Sequence, residues 1–109
     1  MNEIEFIRSK LDQEELLCQL AEEAAELSQA ALKLRRAYSQ ENPTPVTRKA
    51  AYESLLEELA DVSLVLTVLG LDTGLVRMEI NRTMTEKCER WVGRLDGKKE
   101  ESLESPISE

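Results

Sequence analysis

Histidine is absent from this 109-residue chain. Its absence removes imidazole general bases, His-containing zinc sites and the Glu-x-x-His motif of di-iron bundles. Cysteine is scarce. Cys18 and Cys88 fit no CxxC motif, fall within helical patterns, and read as reduced, partly buried small hydrophobes. Any metal held here would therefore have oxygen ligands. Basic charge is also in deficit: 14 Lys and Arg stand against 22 Asp and Glu, a formal net charge of -8, with no basic run. A nucleic-acid polymer is not an expected partner for such a chain, whereas a small anionic ligand that arrives with a divalent cation is compatible with it. No stretch is long and apolar enough to cross a bilayer, so no membrane partner is expected, and the opening "MNEIEFIRSK" has no signal-peptide core. The cytoplasm is the expected compartment. The glycine motifs of nucleotide binding, G-x-x-x-x-G-K-[ST] and G-x-G-x-x-G, are missing too.

What is present is helical periodicity, and nothing alternates like a strand. Turn chemistry is confined to "SQENPTPVT", with two prolines, and "GLDTG", where Asp72 is placed to cap the helix that follows. Asp12 with Glu15 has the form of a capping box. These signals predict a short helix near about 3–9 and long ones over about 12–38, 47–69 and 73–95. The expectation is a single all-α domain over residues 1–96 and a disordered polar tail, "GKKEESLESPISE", over 97–109. So small a helical chain gains much from pairing with a copy of itself. The run "LADVSLVLTVLGL" is apolar nearly all round, which suits a helix at the centre of a homo-oligomer.

Two helices share an unusual feature. In "LAEEAAEL", with about 100° per residue, Leu16, Leu27, Leu34 and Ala30 fall within about 40° of Glu23. Glu23 therefore lies inside the apolar arc, Glu26 lies about 60° away at its edge near Gln19, and Glu22 points outwards. In "LLEELADVSLVL" the same holds: Ala51, Val62, Val65 and Leu69 fall within about 40° of Glu58, Asp61 lies about 60° off, and Glu57 points outwards. A turn between the helices makes them natural antiparallel neighbours, so up to four carboxylates would meet in a low-dielectric setting. Like charges so placed either take up protons or share a cation. An all-oxygen ligand set points to Mg²⁺, with Mn²⁺ as the alternative. The competing interpretation is that each pair is simply a solvated helix edge.

E-x-x-E on one helix and E-x-x-D within "EELADV" on the next resemble the MazG-like all-α nucleoside triphosphate pyrophosphohydrolases. The similarity covers roughly residues 16–95, and "EKCERWVGRL" is similar to the basic segment on that family's last helix. The resemblance implies a four-helix-type bundle assembled as a homodimer or dimer of dimers. It also implies hydrolysis of a nucleoside triphosphate between the α and β phosphates, giving monophosphate and pyrophosphate. By motif position Glu23, Glu26, Glu58 and Asp61 would ligate Mg²⁺. Glu23 and Glu58 are the catalytic candidates, and the solvent-side Glu22 or Glu57 are alternatives for orienting the water.

On the last helix Arg77, Asn81, Met84, Val92 and Leu95 fall within about 40° of Cys88, so Arg77 and Asn81 are polar residues on an apolar seam. Asn81 is a candidate for base, sugar or ligand contacts, and Arg77 for phosphate. An ordinary buried amide is the alternative for Asn81. Lys87, Arg90 and Arg94 form a basic strip beside that seam. Lys87 and Arg90 match the family's basic segment and are candidate phosphate contacts, the alternative being complementation of the helix dipole. Trp91 is expected in a core or dimer interface rather than stacked on a base. A related enzyme, phosphoribosyl-ATP pyrophosphohydrolase, has the same acidic motifs. "EKCERW" and a long linker between the acidic pairs favour the general nucleotide group. A helical self-association module is the non-enzymatic alternative.

Overall fold

The computed structural model describes residues 1–39, 41 and 45–97. Among the described residues there are four helices and no strand: α1 (Glu3–Lys10), α2 (Gln13–Tyr38), α3 (Arg48–Leu69) and α4 (Gly74–Asp96). The all-α expectation holds, and the helix bounds lie within a residue or two of those read from periodicity. The expected disorder of the tail concerns residues 98–109, which lie outside the described set, as do 40 and 42–44 of the interhelical loop. Among the described residues no helix is long and apolar enough to cross a membrane. The chain forms two compact units, Met1–Asp72 and a second that begins at Thr73 and contains α4.

Short polar side chains set the helix starts. At α1 a full capping box forms: the Asn2 side chain accepts from the Glu5 amide at 2.8 Å and Glu5 accepts from the Asn2 amide at 3.0 Å. Asp12 accepts from the Glu15 amide at 2.8 Å, one half of the box the sequence suggested. Thr47 caps α3 through the Ala50 amide at 3.1 Å.

The end of α3 is fixed more firmly. Gly70 takes a left-handed conformation (φ 75°), its amide bonds Thr67, and the Leu71 amide reaches back to Leu66. This is the pattern in which a helix ends by satisfying its own last carbonyls, and a Cβ at Gly70 would strain it. Arg8 of α1 adds two bonds, Nε to the Val68 carbonyl at 2.7 Å and Nη2 to the Thr67 carbonyl at 2.9 Å. A cation thus sits at the negative end of the α3 dipole and ties α1 to it. Asp72 does not cap α4 as expected. Its carboxylate turns back to accept from the Thr67 hydroxyl at 2.5 Å, and Thr73 occupies the N-cap position without a side-chain bond.

Helices α2 and α3 pack antiparallel as a hairpin, Glu26 lying beside Glu58 while Lys33 and Arg36 lie towards Ser54. The buried residues are Leu16 and Ala30 of α2 with Ala51, Val65 and Val68 of α3. Alanines in the seam allow close approach of the backbones, and Ala51 is fully buried. A helical hairpin buries one face only. Leu17, Leu32, Leu56, Leu59 and Leu64 remain between two-fifths and three-fifths exposed.

Two side chains differ from expectation. Cys18 and Cys88 are free but exposed, not partly buried. Cys18 lies about 140° from Glu23 around α2, hence away from the seam. Cys88 belongs to α4, which has no buried residue and on which Trp91 is 61 % exposed.

Ala51→Leu should overpack the seam and cost about 1–3 kcal/mol. Urea unfolding should show a lower midpoint with an unchanged slope.

Candidate metal centre

Each carboxylate owes its place to helix phase. Glu23 and Glu58 share the faces that carry the core residues and are half-buried, whereas Glu26 and Asp61 lie one turn along on the margin and are exposed. One carboxylate oxygen from each of the four can be chosen so that all lie within 4.8 Å of one another. The cluster is that expected from the sequence, with the same division between inner and marginal groups.

The inner pair is under-satisfied. Oε1 of Glu23 and Oε1 of Glu58 are both buried without a hydrogen-bond partner. Glu23 is held through its other oxygen, Oε2, which accepts from Nε2 of Gln19 at 2.7 Å. Among the described residues no Lys or Arg pairs with any of the four. Desolvation at its half-buried position, above all, raises the pKa of the Glu58 carboxyl above the ordinary 4.5. The charges of Glu26 and Asp61, a hydrogen bond to Glu26 and the charge of Glu23 push in the same direction.

Such a site has two ways to lower its energy: hold a proton or hold a cation. Its donors are hard oxygens with no nitrogen or sulfur, which suits Mg²⁺, Mn²⁺ or Ca²⁺ and disfavours zinc. Opposite ligands of Mg²⁺ are about 4.2 Å apart and those of Ca²⁺ about 4.6–5.2 Å. A spread of 4.8 Å therefore admits Ca²⁺ as it stands. One Mg²⁺ on all four would need the widest-spaced oxygens to draw in by a few tenths of an ångström. The cluster could hold a metal ion, and its geometry alone does not select magnesium.

Gln19 was noted in the sequence only as a neighbour of Glu26. Its i, i+4 spacing to Glu23 was the available signal that it would orient that carboxylate. A groove of about 480 Å³, which the sequence did not disclose, extends from Glu26 and Glu58 past Gln29 and Ser54 to Lys33 and Arg36. The remaining candidates, Arg77, Asn81, Lys87 and Arg90, are exposed and lie on α4 in the second unit. Asn81 borders a shallow patch of α4 with Met84, Thr85, Cys88 and Val92.

The sign of the pH effect follows. A carboxyl with a raised pKa in the folded state stabilises the fold while protonated, and that stability is lost as pH rises from about 4.5 through the elevated value. In EDTA, Glu58→Gln should therefore melt higher than the wild type, with a gap that widens as pH climbs from about 4 to about 8. Scanning calorimetry across that range checks this, and Mg²⁺ or Mn²⁺ should raise the melting temperature of the wild type but not of the variant. No family model, curated protein or solved structure matches the chain.

Proposed function

We propose that the chain is a divalent-metal-dependent nucleoside triphosphate pyrophosphohydrolase, cleaving the α–β anhydride to release a nucleoside monophosphate and pyrophosphate. The observation that carries the reading is the convergence of four carboxylates from the two acidic motifs, with two buried oxygens left unpartnered. An unpartnered buried carboxylate oxygen is expensive unless something occupies it. The motif resemblance supplies the reaction class, and Mg²⁺ is the proposed ion, with Mn²⁺ able to replace it.

Glu23, Glu26, Glu58 and Asp61 would hold the metal, which supplies charge neutralisation at the phosphate oxygens and an activated water. Gln19 restrains Glu23 through Oε2, and Oε1 is left without a partner. Glu58 and Glu23, the two inner carboxylates, are the proposed candidates to orient or deprotonate the attacking water. Water oxygen then bonds to the α phosphorus, the bridging P–O bond breaks, and pyrophosphate departs with the bonding pair. Glu22 and Glu57 are solvent-side alternatives for the base.

Exposed apolar residues support a homo-oligomer, as a dimer or dimer of dimers: Leu56, Leu59 and Leu64 on α3, and Leu75, Met78, Trp91 and Leu95 on α4. In that assembly Asn81 would meet the nucleoside, and Arg77, Lys87 and Arg90 would meet phosphate. The cytoplasm, where nucleoside triphosphates are made and used, is the proposed compartment.

Assay of pyrophosphate release over a nucleotide panel that includes phosphoribosyl-ATP tests the proposal. A nucleoside triphosphate should be turned over in Mg²⁺ or Mn²⁺ and spared in EDTA. Loss of an outer-shell partner alone costs about 10–100-fold, so Asp61→Asn or Glu58→Gln should lower kcat by at least about 100-fold. Strong preference for phosphoribosyl-ATP would move the chain to that relative's activity. No metal uptake and no pyrophosphate release would leave a self-association module.

A further inference from the structure

We infer that Lys33 and Arg36 bind the β and γ phosphates of the substrate, so that the leaving pyrophosphate lies along the α2–α3 groove. The inference rests on the pyrophosphohydrolase reading and assigns residues that neither the acidic motifs nor the basic strip of α4 contains.

The groove of about 480 Å³ has opposite charges at its two ends. One end is the carboxylate cluster, entered through Glu26 and Glu58. At the other stand Lys33 and Arg36, and between them the groove is lined by Gln29, Ser54 and the buried Ala30. Glu26, Gln29, Lys33 and Arg36 follow one another at steps of three and four, which keeps them within about 80° of arc on α2. Lys33 is about 10 Å and Arg36 about 15 Å beyond Glu26 along the helix axis. Helical side chains lean towards the N-terminus of their helix, which here means back towards the carboxylates. Both long side chains can therefore close much of that distance.

Neither cation makes an ion pair or hydrogen bond among the described residues. In a chain with eight more acids than bases, two unpaired cations facing one groove are an uneven use of positive charge. With a metal ion on the carboxylates, a phosphate chain would meet the open coordination positions of the ion at one end and, along the rest of the groove, donors: the Gln29 amide, the Ser54 hydroxyl, three ammonium protons and a guanidinium fork. That set matches an extended chain of phosphates, and an arginine fork matches a terminal phosphate best. A nucleoside diphosphate, lacking the γ phosphate, would forfeit the Arg36 contact. The groove thus measures the length of the phosphate chain.

The competing account is that Arg35 and Arg36 merely complement the C-terminal dipole of α2, since both lie in its last turn. Arg35 separates the two accounts. It shares the dipole's field but points about 100° away from Arg36 and does not line the groove.

Titration calorimetry with inorganic pyrophosphate in saturating Mg²⁺ tests the assignment on Lys33→Gln, Arg36→Gln and Arg35→Gln. Lys33→Gln and Arg36→Gln should each weaken pyrophosphate binding roughly ten- to hundredfold, the range for a lost charge-assisted hydrogen bond. Arg35→Gln should stay within about twofold, and uptake of Mn²⁺ without pyrophosphate should be unchanged in all three. In turnover, Arg36→Gln should raise KM for the triphosphate and narrow its advantage over the diphosphate. Equal pyrophosphate affinity in wild type, Lys33→Gln and Arg36→Gln would overturn the groove assignment while leaving the metal centre intact. So would an equal loss in Arg35→Gln. If the wild type takes up neither Mn²⁺ nor pyrophosphate, the pyrophosphohydrolase reading fails and this inference falls with it.

Discussion

Glu23 and Glu58 meet where α2 and α3 press together, and that meeting is the constraint around which the first unit is organised. The contact that buries Ala30 and Ala51 also carries the two glutamates out of bulk water and towards each other. A tighter seam means better apolar packing and, at once, stronger repulsion between the carboxylates. Separating the helices would relieve the repulsion only by giving up the few buried residues the hairpin has. The elevated proton affinity of Glu58 is the local record of this conflict.

The remaining features of the unit keep that seam in register. Arg8, the left-handed Gly70 and the back-bond from Leu71 fix where α3 ends. With that end fixed, the phase of Glu58 and Asp61 relative to Val65 and Val68 is set by the helix itself. On α2 the Gln19 amide restrains Glu23 through one oxygen, and the other is buried without a hydrogen-bond partner. Organisation of this kind, in which a first layer of ligands is oriented by a second layer of hydrogen bonds, is what an ion-binding site requires. The packing of the seam supplies the rest.

Much of this was legible in the sequence, and the reasons differ from residue to residue. Helix phase depends only on spacing, so Glu23 and Glu58 could be placed inside the apolar arcs and Glu26 and Asp61 at their margins, as they are found. Partner choice was less legible. Asp72 had the right residue type and position for an N-cap, but the Thr67 hydroxyl, five residues back, took its carboxylate. The cysteines were judged by residue type, which favours burial, when the angular position of Cys18 already placed it off the seam. Lys33 and Arg36 lie on the Glu26 side of α2 by the same angular arithmetic. The groove beside them exists only once α3 brings Ser54 and Glu58 across.

In so thin a core, an ion held by the cluster would add directly to stability. With five buried apolar residues among the described ones of the unit, there is little packing to spare for holding like charges together. Moving the carboxylates outward by one helical position would ease the repulsion, yet it would also disperse the ligands and turn Glu26 out of the groove it shares with Lys33. The geometry that is unfavourable without a ligand is the one that would bind a cation and a phosphate chain together. Destabilisation confined to such a place is what selection tolerates when a function requires it. The unpartnered oxygens of Glu23 and Glu58 are where a bound cation would relieve that repulsion.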